Sequence, residues 1–76
     1  MTQLDWTGIF RENGFIQSKE FTYLNKKFNI GCWIGTIHTY NWVCYISELN
    51  EKSGKNVHDK KEFLQEFNRI TKTKKP

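Results

Sequence analysis

From Lys19 to Glu48 the chain runs without a proline, and the one proline it has is the last residue, Pro76. That stretch is dense in aromatic and β-branched side chains, among them Phe21, Tyr23, Phe28, Ile30, Trp33, Ile34, Trp42, Val43, Tyr45 and Ile46. Such side chains suit a pleated, half-buried surface, and no proline interrupts a hydrogen-bonded ladder. Polar punctuation divides the stretch into three strands, about 19–24, 28–37 and 41–48. Asn25-Lys26-Lys27 and His38-Thr39-Tyr40 supply the turns. Strands joined this tightly are antiparallel.

Helical patterns flank the strands. Over residues 3–12, Trp6, Ile9 and Phe10 fall at i, i+3 and i+4 and form one apolar stripe. Thr2 and Asp5 have the spacing of a capping box at its start. Asn13-Gly14 stops it, with Gly14 suited to a left-handed C′ position and Phe15 able to pack back on the last turn. Residues 49–58 read as a polar loop centred on Ser53-Gly54. A second helix over about 60–72 carries Phe63, Leu64, Phe67 and Ile70 at helical spacing, opened by Asp59 and Glu62 in the pattern D-x-x-E.

The expected fold is therefore α+β, in the order α-β-β-β-α. A three-stranded antiparallel sheet with both helices on one face is the simplest packing, because each helix has a single stripe to bury. Helices at opposite ends or faces are the alternative. A length of 76 residues implies a single domain over 1–76, with an ordered core about 3–71 and a basic, disordered tail at 72–76. A chain this short has a thin stability margin. Six Phe, three Trp and three Tyr compensate by supplying large buried areas from few residues.

Strand alternation sorts the side chains into two faces. Phe28, Ile30, Cys32 and Ile34, with Trp42, Cys44 and Ile46, make a nearly all-apolar core face, joined by Phe21 and Tyr23 from the first strand. The other face carries Trp33 between Gly31 and Gly35, with Val43 and Tyr45 on the neighbouring strand. Glycine inside a strand often marks close approach by another backbone or a ligand, and contiguous exposed apolar patches mark binding sites. Trp33, Tyr45 and Val43 are thus the candidate partner-binding residues if no helix covers them. A one-residue slip in register would instead turn Trp33 into the core.

The net charge is +4, and the excess lies in residues 51–76. Lys55, Lys60, Lys61, Arg69, Lys72, Lys74 and Lys75 are the candidate nucleic-acid contacts. No apolar run approaches the roughly 20 residues a bilayer needs. Asp5, Arg11 and Glu12 break any apolar signal region in residues 1–14. A cytoplasmic location, in a cell or an infected host, and no membrane partner are expected. Cys32 and Cys44 are then free thiols. His38, His58 and the two cysteines lack metal-finger spacing, so no metal is expected. There is no phosphate loop, no dinucleotide fingerprint and no convergent set of carboxylates, so neither a catalytic residue nor a cofactor is expected.

In element order and length the chain resembles the double-stranded-RNA-binding domain and the HicA-type toxins. Glu12-Asn13-Gly14-Phe15 looks like the first-helix end of those toxins, although their glycine-serine-histidine strand motif has no counterpart here. Lys60-Lys61 sits where a lysine pair opens the last helix of RNA-binding domains and grips phosphates. The resemblance implies a nucleic-acid-binding domain. In size and aromatic content the chain is also similar to accessory proteins of phages and mobile elements, including anti-CRISPR proteins. That resemblance implies a small non-enzymatic inhibitor docked on a larger protein or nucleoprotein. A homodimer through the open sheet face is a further possibility.

Overall fold

The computed structural model describes residues 1–38, 41–51 and 53–73. Helix α1 (Gln3–Glu12) is followed by strands β1 (Ile16–Lys19), β2 (Thr22–Asn25), β3 (Ile30–His38), β4 (Asn41–Glu48) and β5 (Lys55–Val57), then helix α2 (Lys60–Thr73). The strands form one antiparallel meander in the order β1-β2-β3-β4-β5. The fold is α+β, but the expected three-stranded sheet is overturned: it has five strands. The two additional strands are the edges. All four residues of β1 are exposed, and β5 has one buried residue, Val57. Neither shows the alternation that a half-buried strand writes into its sequence. β5 lies inside the segment expected to be a polar loop.

Local chemistry sets the element ends. The Thr2 hydroxyl accepts from the Asp5 N–H at 3.1 Å, and the Asp5 carboxylate accepts from the Thr2 N–H at 3.0 Å. Gly14 takes φ 84°, and the Phe15 N–H donates back to the Phe10 carbonyl at 2.9 Å. At α2 the Asp59 carboxylate accepts from the Glu62 N–H at 2.9 Å. The Glu62 carboxylate reaches past Asp59 to the His58 N–H, at 2.7 Å.

Two turns use left-handed residues. Asn29 has φ 58°, a conformation asparagine tolerates. It ends a turn in which the Asn25 side-chain oxygen accepts from the Phe28 N–H at 3.1 Å, so β3, expected as the second strand from 28, begins at Ile30. Phe21, in the two-residue turn between β1 and β2, has φ 63°, which is strained for a bulky side chain. The strain is offset by the Ile34 N–H donating to the Phe21 carbonyl at 3.0 Å and by the Phe21 ring lying 5.4 Å from that of Trp42. Thr39 and Tyr40 of the second expected turn, and the tail residues 74–76, lie outside the described residues.

Both helices pack on the same sheet face. Tyr23, Ile30, Cys32, Ile34, Cys44, Ile46 and Val57 form the floor, and Trp6, Ile9, Phe10, Phe63 and Ile70 lie on it. Phe28, Trp42, Leu64 and Phe67 are half-buried at its margin. Phe63 has no solvent exposure, and its ring meets those of Trp6, Phe10, Phe15 and Phe67 at centroid separations of 5.7 to 6.2 Å. The Trp6 indole N–H donates to the Trp42 carbonyl at 3.0 Å, so the one polar atom of that buried ring is satisfied.

Truncating a fully buried aromatic costs about 3–5 kcal/mol, a large part of the margin of a small domain. Phe63→Ala is therefore expected to lose most of its near-ultraviolet circular dichroism at 25 °C. A second expectation concerns pH. The Asp5 carboxyl is held below the ordinary carboxylate range by the Thr2 N–H, and Glu62 by the His58 N–H. A depressed folded value stabilises above the unfolded value and is lost as pH falls through the folded one. Denaturant midpoints should fall on acidification below the ordinary carboxylate range, and less steeply in Asp5→Asn and Glu62→Gln.

Candidate functional site

Strand register places three rows of side chains on the face away from the helices. Thr22, Trp33, Tyr45 and Asn56 stand opposite one another across four strands. Ile16, Leu24, Gly31 and Ser47 form the next row, and Gly35 faces Val43 in the third. Apart from Lys19 at the bulged edge of β1, these rows carry no charged residue. The helix rings contact Phe15, Tyr23, Phe28 and one another, whereas Trp33 and Tyr45 pair with each other at 5.9 Å. Trp33, Val43 and Tyr45 are half-buried, and Ile37 beyond them is 57 % exposed.

The glycines have different tasks. A Cβ at Gly31 would come within 2.7 Å of the Trp33 ring and 2.8 Å of Leu49. The Trp33 indole therefore lies down over Gly31 and does not stand free between two bare positions. At Gly35 a Cβ would meet nothing. At Gly54 it would collide with the Ile46 carbonyl oxygen and crowd Tyr45. That close approach brings the Gly54 N–H to the Tyr45 hydroxyl, which accepts it at 2.6 Å. Trp33 is thus held by packing and Tyr45 by a hydrogen bond, leaving few rotamers to freeze on binding. A groove of about 540 Å³ opens at the Gly35 end, lined by Trp33, Ile37, Val43, Tyr45 and Asn56. The Ser53-Gly54 pair in the loop is the one sequence signal for the Tyr45 contact.

The basic candidates lie elsewhere. Lys55 faces the helix side, in register with Ile46. The Arg69 guanidinium forks onto the Glu66 carboxylate, with Nε donating at 3.0 Å. That hydrogen bonding, with the nearby charges of Arg69 and Lys55, holds the Glu66 carboxyl below its ordinary range despite burial. The Lys60 ammonium is 3.6 Å from the Glu12 carboxylate. Lys61 and Lys72 are exposed on α2, and Lys74 and Lys75 lie outside the described residues. Two of the described candidate cations, Lys60 and Arg69, are thus paired with carboxylates.

Cys32 and Cys44 are fully buried free thiols on the core face. Burial pushes the Cys32 thiol far above its ordinary range, with the Cys44 thiol adding to the effect, so it stays protonated. His58 sits before α2 with Nδ1 3.2 Å from the Glu62 carboxylate. Among the described residues no three His, Cys, Asp or Glu side chains converge, and no helix is long and apolar enough to cross a membrane.

With the geometry in hand, comparison with protein-family models, curated proteins and solved structures gave no match for this chain.

A paired substitution tests the anchoring of Tyr45. Gly54→Ala, which forces the loop off the Ile46 carbonyl, should destabilise by about 1–3 kcal/mol and shift the Tyr45 ring resonances. Gly35→Ala, in open space on the same face, should change stability by less than about 1 kcal/mol.

Proposed function

We propose that this chain is a non-enzymatic protein-binding module that docks a larger protein or nucleoprotein through its uncovered sheet face. The observation that carries this is the Trp33–Tyr45 pair, held rigid on a face with almost no charge. Tryptophan and tyrosine dominate binding energy at interfaces, and rigid aromatic anchors engage with little loss of freedom. Docking through such a face acts by occupancy, which suits an inhibitor of the kind found in phages and mobile elements. Two unpaired thiols suit the reducing cytoplasm of a cell or infected host.

Nucleic-acid binding has less support. Phosphate recognition needs clustered cations, and base stacking on the sheet needs cations around the aromatic rings. Among the described candidates, Lys55 and Arg69 do not share a row with Trp33 and Tyr45, and Lys60 and Arg69 are paired with carboxylates.

Gly35→Arg tests the proposal, because the position has open space and the new side chain would project over the groove. Tagged wild-type chain should retain a discrete protein partner after nuclease treatment and at high salt, and Gly35→Arg should lose it with its thermal midpoint unchanged. Recovery that vanishes with nuclease or salt, and that Lys60→Gln/Lys61→Gln abolishes, would replace the proposal with nucleic-acid binding. Self-association lost in Gly35→Arg would make the face a homodimer interface.

A further inference from the structure

The helix layer is narrower than the sheet beneath it. Gln17 of β1 pairs with Tyr23 and shares its face, yet Tyr23 is buried and Gln17 is exposed. Where α1 ends and α2 passes by, the uncovered corner becomes a groove of about 750 Å³. Its apolar lining is Ile16, Leu24, Phe28 and Phe67, with the Phe28 and Phe67 rings edge-to-face at 6.0 Å. The size is that of a small-molecule site, and the groove is separate from the one beside Gly35.

Lys26 and Lys27 line the groove, both exposed, and neither is in an ion pair among the described residues. The Lys27 ammonium sits 5.4 Å from the Phe28 ring centroid, directly above the apolar wall. Glu12, also in the lining, is offset by Lys60 at 3.6 Å. The end of α1 presents little bare negative charge, because its last carbonyls have donors: Asn13 Nδ2 on Ile9, the Asn13 and Phe15 N–H groups on Phe10, and the Gly14 N–H on Arg11. Asn25 is committed too, donating to the Asn13 carbonyl and accepting from Phe28. The charge left facing a ligand is therefore positive, and the Lys27 ammonium lies against the Phe28 ring of the apolar lining.

We propose that this groove binds a free, linear amphipathic carboxylic acid of medium chain length. The hydrocarbon chain lies along Phe28, Phe67 and Leu24, and the carboxylate meets Lys26 and Lys27 as a charge-assisted hydrogen-bond acceptor. The groove wraps the end of the sheet and shares Ile16 and Leu24 with the outer face, but it includes none of Trp33, Val43 and Tyr45.

The test is a titration of the isotope-labelled chain with decanoate below its micellar concentration, followed by amide resonances, with decanol as the neutral control. Saturable shifts confined to residues 12–18, 24–28 and around 67 are expected, with decanol binding at least about fivefold more weakly. Lys26→Gln/Lys27→Gln should erase the difference between acid and alcohol. Ile16→Glu, at a position 75 % exposed and therefore harmless to the fold, should weaken decanoate while leaving the thermal midpoint unchanged. Equal binding of acid and alcohol in the wild type would overturn the proposal. So would shifts centred on Trp33 and Tyr45, binding only to anionic vesicles, or no saturable binding. None of these results bears on capture of a partner through Trp33 and Tyr45, which the groove does not include.

Discussion

Everything in this small fold leans on the ring of Phe63. It touches two rings of α1, the ring of Phe15 at the entry to the sheet, and Phe67 one turn along its own helix. A chain of this length cannot enclose a deep aliphatic core, and flat rings fill a thin layer between helices and sheet with few residues. The sheet answers with small and branched side chains, Cys32, Cys44, Ile30, Ile46 and Val57, which leave room for the rings. The two cysteines are core filler, and burial keeps them chemically quiet.

Much of this was legible in the sequence, and for identifiable reasons. Both helices announce themselves by stripes and caps, and the three central strands by alternation. Both signals come from contact with the core. β1 and β5 have neither, because an edge strand is held by one neighbour's backbone and Ile16-Gln17-Ser18-Lys19 and Lys55-Asn56-Val57 turn almost nothing inward. The left-handed Phe21 was hidden because its strain is offset by Ile34 and Trp42, both distant in sequence. On the candidate face, alternation placed Trp33, Val43 and Tyr45 together. It could not show that Trp33 reclines on Gly31, or that Gly54 reaches Tyr45. The pairing of Lys60 with Glu12 joins the two helices and has no local signature.

The mismatch between sheet and helices also shapes the surface. Five strands are wider than two short helices can cover, so one corner on the helical side stays open, floored by Phe28 and Phe67. Among the described residues no helix covers the opposite face. These surfaces differ in kind. One is nearly uncharged among the described residues and locked by its own contacts. The other is lined by Phe28 and Phe67 and by Lys26 and Lys27, which have no ion pair among the described residues. A single thin core thus leaves two chemically distinct surfaces.

The aromatic cluster also orders events in time. Strands in a meander find their partners next door, so the sheet can zip locally as the chain emerges. Trp6 and Phe10 have no such luck: the ring that buries them comes more than fifty residues later, at position 63. Until α2 has left the ribosome, α1 and the sheet expose the most adhesive residues they own. Synthesis at roughly 5–20 residues per second limits that interval to seconds. The brevity of the chain, which thins its core, also shortens the time in which that core lies open.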